Sequence, residues 1–177
     1  MHRLFVAIRP PEVIRRLLLG SIGGISGARW QSDEQLHITL RFVGEVDRHV
    51  AQDIHAALGT VHHPRFEISV SGVGTFGRRG QAEMVWAGLV PQEPLKALHN
   101  KVDQALARVG MEPDRRVYHP HITLARLNRS SGPVANFLTE AGGLTTPPFT
   151  PDRFELCESR LTPDGAVYST LERYPLA

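Results

Sequence analysis

The tetrapeptide His-Ile-Thr-Leu occurs twice in the sequence, at His37–Leu40 and again at His121–Leu124. Each copy lies in a short apolar run that predicts a β-strand, and in a strand the side chains of residues i and i+2 point to the same face. Each copy therefore presents a histidine beside a threonine, while its isoleucine and leucine point into a core. Two such strands around one cavity would bring together two imidazoles and two hydroxyls.

This set of groups is suited to the in-line cleavage of a cyclic phosphodiester. The reaction needs a base that activates water and an acid that protonates the departing sugar oxygen, and an imidazole with its ordinary pKa of about 6.5 can serve in either role. The hydroxyls of Thr39 and Thr123 can donate hydrogen bonds to the non-bridging oxygens, where negative charge develops. We therefore predict that His37 and His121 are catalytic, with no need for a metal ion or another cofactor.

Other site chemistries fit the sequence less well. A zinc site would need a third ligand, and neither motif histidine has a helical His-x-x-x-His partner. No nucleophile elbow surrounds a serine or cysteine, and we expect Cys157 to pack within a late strand. The run Gly72–Gly77 resembles a glycine-rich phosphate loop, but it lacks a Gly-Lys-Ser/Thr ending and a following helix, so we predict a turn between strands.

The elements that would position the motifs mix strands and helices without regular alternation. Period-two patterns and apolar runs predict strands over Arg3–Arg9, Leu36–Val43, Phe66–Val73, Ala82–Val90, His121–Leu127, Arg153–Leu161 and Ala166–Tyr174. Helical spacing predicts helices from Glu12 onwards and over Asp47–Leu58, Pro94–Val109 and Val134–Ala141. This order favours an α+β fold with antiparallel sheets, in which two similar halves each carry one motif.

Composition limits the class of protein. The 177 residues are enough for one ordinary domain or a compact two-lobed one, and 41% hydrophobic with 21% charged residues is typical of globular proteins. A single cysteine excludes an internal disulfide framework and indicates a reducing compartment, so we expect a cytoplasmic location. No apolar run approaches the roughly 20 residues of a membrane span, and the strand predicted at Phe5–Ile8 argues against a signal peptide.

The basic residues are nearly all arginines. Of the 20 lysines and arginines, only Lys96 and Lys101 are lysines, and the formal net charge is +2. The planar guanidinium is suited to bidentate phosphate contacts, although genomic base composition also favours arginine codons. Charge alone therefore does not establish RNA as a partner.

Two His-x-Thr motifs about half a chain apart resemble the signature of the two-histidine phosphoesterases. Within that group the chain is similar to the bacterial 2′-5′ RNA ligase-like proteins, also called RNA 2′,3′-cyclic phosphodiesterases. The likeness covers nearly the whole chain and includes Arg3–Ile8, Trp30, Leu36–Glu45, Gly72–Phe76, Val85–Gly88, Pro120–Arg126 and the late pattern Ser159-x-Leu161-x-Pro163-x-Gly165-x-x-Tyr168.

The resemblance implies a bilobal, pseudo-twofold α+β fold over residues 1–177, with two antiparallel sheets facing a central cleft and helices on the outside. It implies a monomer that hydrolyses the 2′,3′-cyclic phosphate of RNA termini or small cyclic nucleotides to a 2′-phosphate, with reversible 2′-5′ ligation as a side activity. By family precedent His37 would be the acid and His121 the base, and Thr39 and Thr123 would bind the phosphate. The identical motifs do not themselves assign the two roles.

Two arginines follow the motifs and are predicted to bind the substrate. Regular alternation places Arg41 on the face of the first motif histidine, and it places Arg126 on the opposite face from the second one. Arg126 reaches the phosphate only if the strand ends or bulges after Leu124. For both arginines a solvated or structural role remains an equal alternative.

Three aromatic residues, Trp30, Phe76 and Tyr118, could stack on bases, although core packing or anchoring of a loop is the favoured role for each. Two other functions remain open. One is an RNA-end binding protein without turnover, and the other is a phosphodiesterase for another cyclic nucleotide or a 2′-5′ oligonucleotide. Substrate choice would depend on loops such as Arg78–Gln81 and Arg115–Tyr118.

Overall fold

The computed structural model describes residues 1–177 and contains eight β-strands, four α-helices and one 3₁₀ helix. The strands are β1 (His2–Ile8), β2 (Arg29–Trp30), β3 (Ile38–Val46), β4 (Ser69–Arg78), β5 (Gln81–Val90), β6 (His121–Arg126), β7 (Arg153–Thr162) and β8 (Gly165–Pro175). The helices are α1 (Glu12–Leu19), α2 (Arg48–Leu58), α3 (Glu93–Arg108) and α4 (Ala135–Ala141), and the 3₁₀ helix is Asp33–Gln35.

All strand pairs are antiparallel, in the order β4-β5-β6-β3-β1-β7-β8, with β2 added beside β6. The α+β class and the antiparallel arrangement are confirmed. The structural halves are the strands beside the first motif (β3, β1, β7 and β8) and the strands beside the second (β6, β5 and β4). They form one sheet, because β3 and β6 meet at the single pair Ile38 and Ile122. Each of these residues is the isoleucine of a His-Ile-Thr-Leu motif, so the pseudo-twofold relation between the halves is centred on the motifs.

The apolar positions of both motifs anchor the site to the core. Ile38, Leu40, Ile122 and Leu124 belong to one cluster of 32 buried residues that extends through both halves. Each fully buried side chain of this size contributes about 1.5–3 kcal/mol to folding. The inner stripe of α3, at helical spacing, also belongs to this cluster, and it comprises Leu95, Leu98, Val102, Ala105 and Leu106. The histidines and threonines are thereby left on the opposite face.

Local sequence signals explain how the chain leaves the strands. The Asp47 carboxylate accepts a hydrogen bond from the Val50 N–H at 2.9 Å and caps α2 directly after β3. Between β7 and β8 the chain turns at Pro163-Asp164, and Gly165 adopts a φ of 117° that favours glycine. These ends lie where the sequence predicted them to within a few residues.

The prediction of a turn at Gly72–Gly77 was wrong, because β4 continues to Arg78. A Cβ atom on Gly74 would lie 2.3 Å from the Trp86 ring. The glycine therefore makes room for a neighbouring side chain within the sheet and does not mark a turn. None of the four helices is long and apolar enough to cross a membrane.

Candidate active site

The four motif side chains line one cleft. His37, Thr39, His121 and Thr123 all border a cavity of ≈ 800 Å³ between the two halves. Continuing the antiparallel Ile38–Ile122 register by one residue on each side places His37 opposite Thr123 and Thr39 opposite His121. The histidines thus occupy one diagonal and the threonines the other, and diagonal neighbours in antiparallel sheets are about 7–8 Å apart. The predicted catalytic set is brought together.

Strand β3 carries a β-bulge directly after its motif. Thr39 pairs with Ala7 of β1, and Arg41 pairs with the preceding residue Val6, so that Leu40 is the extra residue in β3. A bulge of this kind reverses the alternation of faces for the residues that follow. Arg41 is therefore directed towards the helix side of the sheet, away from the face of the motif histidine, although part of it still borders the cleft.

The contacts of Arg41 agree with this orientation. Its side chain is 8% exposed, and its Nε donates a hydrogen bond to the Asp103 carboxylate at 2.8 Å. The remaining nitrogens donate to the main-chain carbonyls of Phe42 and Glu112. Because these contacts use the guanidinium to connect β3 with α3 and the segment after it, the geometry favours the structural alternative for Arg41.

Strand β6 carries an equivalent bulge. Thr123 pairs with Trp86 and Ala125 pairs with Val85, so Leu124 is the extra residue. Arg126 is thereby turned to the cleft face, where it is exposed and lines the cavity. This bulge is the condition on which the predicted role of Arg126 depended, and the structure contains it.

The shared bulge also reveals a cleft residue that the sequence reasoning missed. Phe42 occupies in the first motif the place of Arg126 in the second, and it lines the cleft with 56% of its surface exposed. Regular alternation along the predicted strand Leu36–Val43 would put Phe42 on the core face, with Ile38 and Leu40. Aligning the two motifs beyond their leucines would have indicated that positions 42 and 126 are equivalent.

The imidazole of His121 is held by a main-chain hydrogen bond. Its Nδ1 lies 2.6 Å from the carbonyl oxygen of His119, which assigns the proton to Nδ1 and leaves the lone pair on Nε2. The ring packs edge-on against Phe76, with centroids 5.1 Å apart. Burial lowers the pKa of His121, and the bond to His119 partly opposes this effect. The main-chain carbonyl of His119 thus fixes the orientation of the His121 ring.

The imidazole of His37 lies in a more apolar setting. Its ring packs edge-on against Phe5 and Tyr168, with centroids 6.0 Å and 5.5 Å away. Its Nδ1 is buried and has no hydrogen-bond partner. Burial lowers the pKa of His37 to about 4, against which the nearby Gln35 carbonyl acts only in part. In the free protein His37 is therefore neutral at pH 7.

Comparison with known proteins agrees with this arrangement of two motifs around one cleft. The family model described as the 2′-5′ RNA ligase superfamily matches residues 20–162. The chain belongs to the 2′-5′ RNA ligase superfamily. The resemblance predicted from the two motifs is thereby confirmed.

Three similar proteins illustrate the extent of the likeness. The RNA 2′,3′-cyclic phosphodiesterase of Archaeoglobus fulgidus is 33% identical over 172 residues, covering 96% of this chain and 97% of the relative. The protein of the same name from Aeropyrum pernix is 34% identical over 142 residues, covering 78% and 81%. The crystal structure of E. coli LigT complexed with 3′-AMP has a TM-score of 0.78 and 26% identity, covering 99% of this chain and 98% of LigT.

Three side chains at the cleft have the residue types that could bind a metal ion. His37, Glu155 and Cys157 could each offer a ligand atom, and these atoms lie within 4.8 Å of one another. Burial, however, raises the pKa of the Cys157 thiol to about 12, whereas metal ligation needs the thiolate. The Glu155 carboxylate already accepts a hydrogen bond from the Thr170 hydroxyl at 3.0 Å. The donor set therefore fits a metal ion poorly.

Some aromatic residues near the site anchor a loop or pack in the core, and others line the cleft. The Tyr118 hydroxyl donates to the carbonyl of Thr39 at 2.8 Å, and its ring stacks on His99 with centroids 4.3 Å apart. Trp30 packs against Phe137 of α4. Tyr118 and Trp30 therefore have the anchoring and packing roles that the sequence favoured. Tyr118 also lines the cleft, as does Phe76.

Proposed function

We propose that the chain is an RNA 2′,3′-cyclic phosphodiesterase that hydrolyses a terminal 2′,3′-cyclic phosphate to a 2′-phosphomonoester. One observation carries this proposal: two imidazoles and two threonine hydroxyls lie in a single cleft, on opposite diagonals of adjacent strands. The names of the Archaeoglobus and Aeropyrum relatives support it, as does a LigT structure that holds a nucleoside monophosphate.

In the proposed reaction His121 is the base. Its Nε2 lone pair, which the bond from Nδ1 to His119 leaves free, takes a proton from water as the oxygen attacks phosphorus. The P–O3′ bond opposite the attacking oxygen breaks, and the imidazolium of His37 gives its proton to the departing 3′ oxygen. The phosphate stays on the 2′ oxygen. A 5′-hydroxyl in place of water would give a 2′-5′ linkage, which is the reversible ligase activity.

The phosphate would be bound by neutral and charged donors. We propose that the hydroxyls of Thr39 and Thr123 donate to the non-bridging oxygens, and that Arg126 adds a charged contact from the edge of the cleft. The anionic phosphate would also favour the imidazolium form of His37, because an opposite charge nearby raises the pKa of a histidine. The substrate would thus help to create the acid that the reaction needs.

The remaining lining of the cleft is suited to the end of an RNA. Exposed Phe42 could stack on a base, and Arg3 and Arg116 line the same cavity, where they could contact the backbone phosphates. We propose that residues 1–177 act as one bilobal domain, as a monomer in the cytoplasm, without a metal ion or another cofactor.

The test is incubation with an RNA that ends in a 2′,3′-cyclic phosphate, in the presence of EDTA. The product should co-migrate with the 2′-phosphate standard and not with the 3′-phosphate standard. His37→Ala and His121→Ala should each abolish turnover, because acid and base are both required, while the exposed control His62→Ala should retain it. Full activity in either motif variant, or tight binding without turnover in the wild type, would refute the proposal.

A further inference from the structure

The two motifs are identical in sequence, but the charged groups around them differ. A carboxylate, Glu155 of β7, has an oxygen within 4.8 Å of a ring nitrogen of His37. The charged and titratable groups that act on His121 are His119 and Arg126, and both act to disfavour the imidazolium form. The pseudo-twofold relation between the halves therefore does not extend to the electrostatics of the site.

Glu155 is fixed behind the cleft wall. It pairs with Ala7 of β1 and is 4% exposed. The Thr170 hydroxyl donates to its Oε2 at 3.0 Å, and the Arg153 guanidinium donates to its Oε1 at 3.3 Å. A second guanidinium, that of Arg173, lies 3.8 Å from Oε1. These contacts hold the carboxylate in place without removing its charge.

The other charged and titratable neighbours of His37 do not replace Glu155. Arg9 and Arg15 disfavour the imidazolium form, and the Asp33 carboxylate beside them is engaged by both guanidiniums, at 3.6 Å and 2.9 Å. On the strands packed against the ring the titratable groups are the Cys157 thiol and the Tyr168 phenol, and burial raises the pKa of each. Both are neutral near pH 7. Glu155 is therefore the carboxylate that opposes the effect of burial on His37, and it does so in part.

We propose that Glu155 is a positioning residue of the active site, whose carboxylate favours the protonated form that His37 takes up when the substrate phosphate binds, a contribution that His121 lacks. This inference rests on the proposed function. Glu155 acts from the side of the ring away from the bulk of the cleft, through His37, and does not contact the substrate. Within about 5 Å an acidic group favours the charged form of an imidazole.

The test compares the wild type with Glu155→Gln, which removes the charge and keeps an oxygen for Thr170. The pH profile of kcat, which reports the ionisations of the substrate complex, should have one limb displaced by about 0.5–1 pH unit to lower pH while the other limb stays. A displaced limb shows that the charge of Glu155 acts on one of the two ionisations that limit turnover. Two unmoved limbs would overturn the proposal.

Two further variants make the comparison specific. Glu172→Gln removes a carboxylate one strand away, next to His55 of α2, and should leave both limbs in place. Arg153→Gln removes an exposed donor to Glu155 and should displace the same limb to higher pH. Because Arg153 is at the surface, this variant keeps the test decisive even if Glu155→Gln does not fold.

A titration of the His37 ring protons by NMR separates this inference from the proposed function. In the free protein, Arg153→Gln should raise the pKa of His37 and Glu155→Gln should lower it, whether or not the wild type hydrolyses a cyclic phosphate. Absence of hydrolysis would refute the proposed function alone. A His37 titration unchanged in both variants would overturn the role of Glu155 alone.

Discussion

Burial of the His37 imidazole predicts a loss of folding stability at mildly acidic pH. The pKa of His37 is lowered to about 4 in the folded protein, from an ordinary value of 6.5. Between these two values the unfolded chain binds a proton at this site and the folded chain does not. The unfolded state therefore gains stability as the pH falls through this window, and the free energy of unfolding decreases.

The magnitude follows from the displacement of the pKa. The imidazole has a pKa of 6.5 in the unfolded chain and about 4 in the folded protein. Lowering the pH from 7.5 to 5 therefore reduces the free energy of unfolding by about 2 kcal/mol, and the reduction approaches about 3 kcal/mol when the pH is below both pKa values. Total stabilities of domains are about 5–15 kcal/mol, so this single group accounts for a substantial share. The loss should be absent when the imidazole is replaced by an uncharged amide.

Denaturant unfolding of the wild type and His37→Gln at pH 7.5 and pH 5 measures this effect. Other titrating groups are present in both proteins and largely cancel in the difference. We expect the stability of His37→Gln relative to the wild type to rise by about 2 kcal/mol between pH 7.5 and pH 5. His49→Gln, at an exposed position of α2, controls for the same chemical change at the surface. A relative stability of His37→Gln that is equal at both pH values would refute the reasoning.

Two further predictions concern the buried Cys157 thiol and the two arginines that follow the motifs. The Cys157 thiol is 1% exposed and burial raises its pKa to about 12, so alkylating reagents at pH 8 should modify it only after unfolding, as mass spectrometry would detect. Arg41→Ala should lower the free energy of unfolding by about 3 kcal/mol, because it leaves the Asp103 carboxylate without its partner. Arg126→Ala should leave the free energy of unfolding nearly unchanged and lower kcat/KM about 100-fold. Equal losses of stability in the two arginine variants would contradict the opposite orientations of their side chains.

Much of the fold follows from short-range rules. The stripe of α3, the cap of α2 and the turn at Pro163-Asp164 could be predicted because each depends on side-chain spacing or on the backbone preferences of a few neighbouring residues. The motif histidines and threonines were predictable for the same reason, since they precede the bulges. Within that span the alternation of faces holds.

Residues after Leu40 and Leu124 were harder to place, because a bulge depends on how a strand pairs with its neighbour. The partners β1 and β5 advance by one residue where β3 and β6 advance by two. That mismatch directs Arg41 to α3 and Phe42 to the cleft, and no local pattern in either motif specifies it. The glycines of β4 were mistaken for a turn because the bulky ring of Trp86, which requires Gly74, lies on a different strand.

The single pair Ile38–Ile122 joins the two halves of the sheet and also lies between the two motif histidines. The two motif histidines, which we propose to be the acid and the base, lie on either side of the one point at which the two parts of the sheet are hydrogen-bonded. Any separation of the halves at this pair would increase the distance between His37 and His121 before it disturbed the strands within each half. On mild heating, loss of turnover should therefore precede loss of secondary structure. The catalytic rate then reports the contact between the two halves before circular dichroism shows any change.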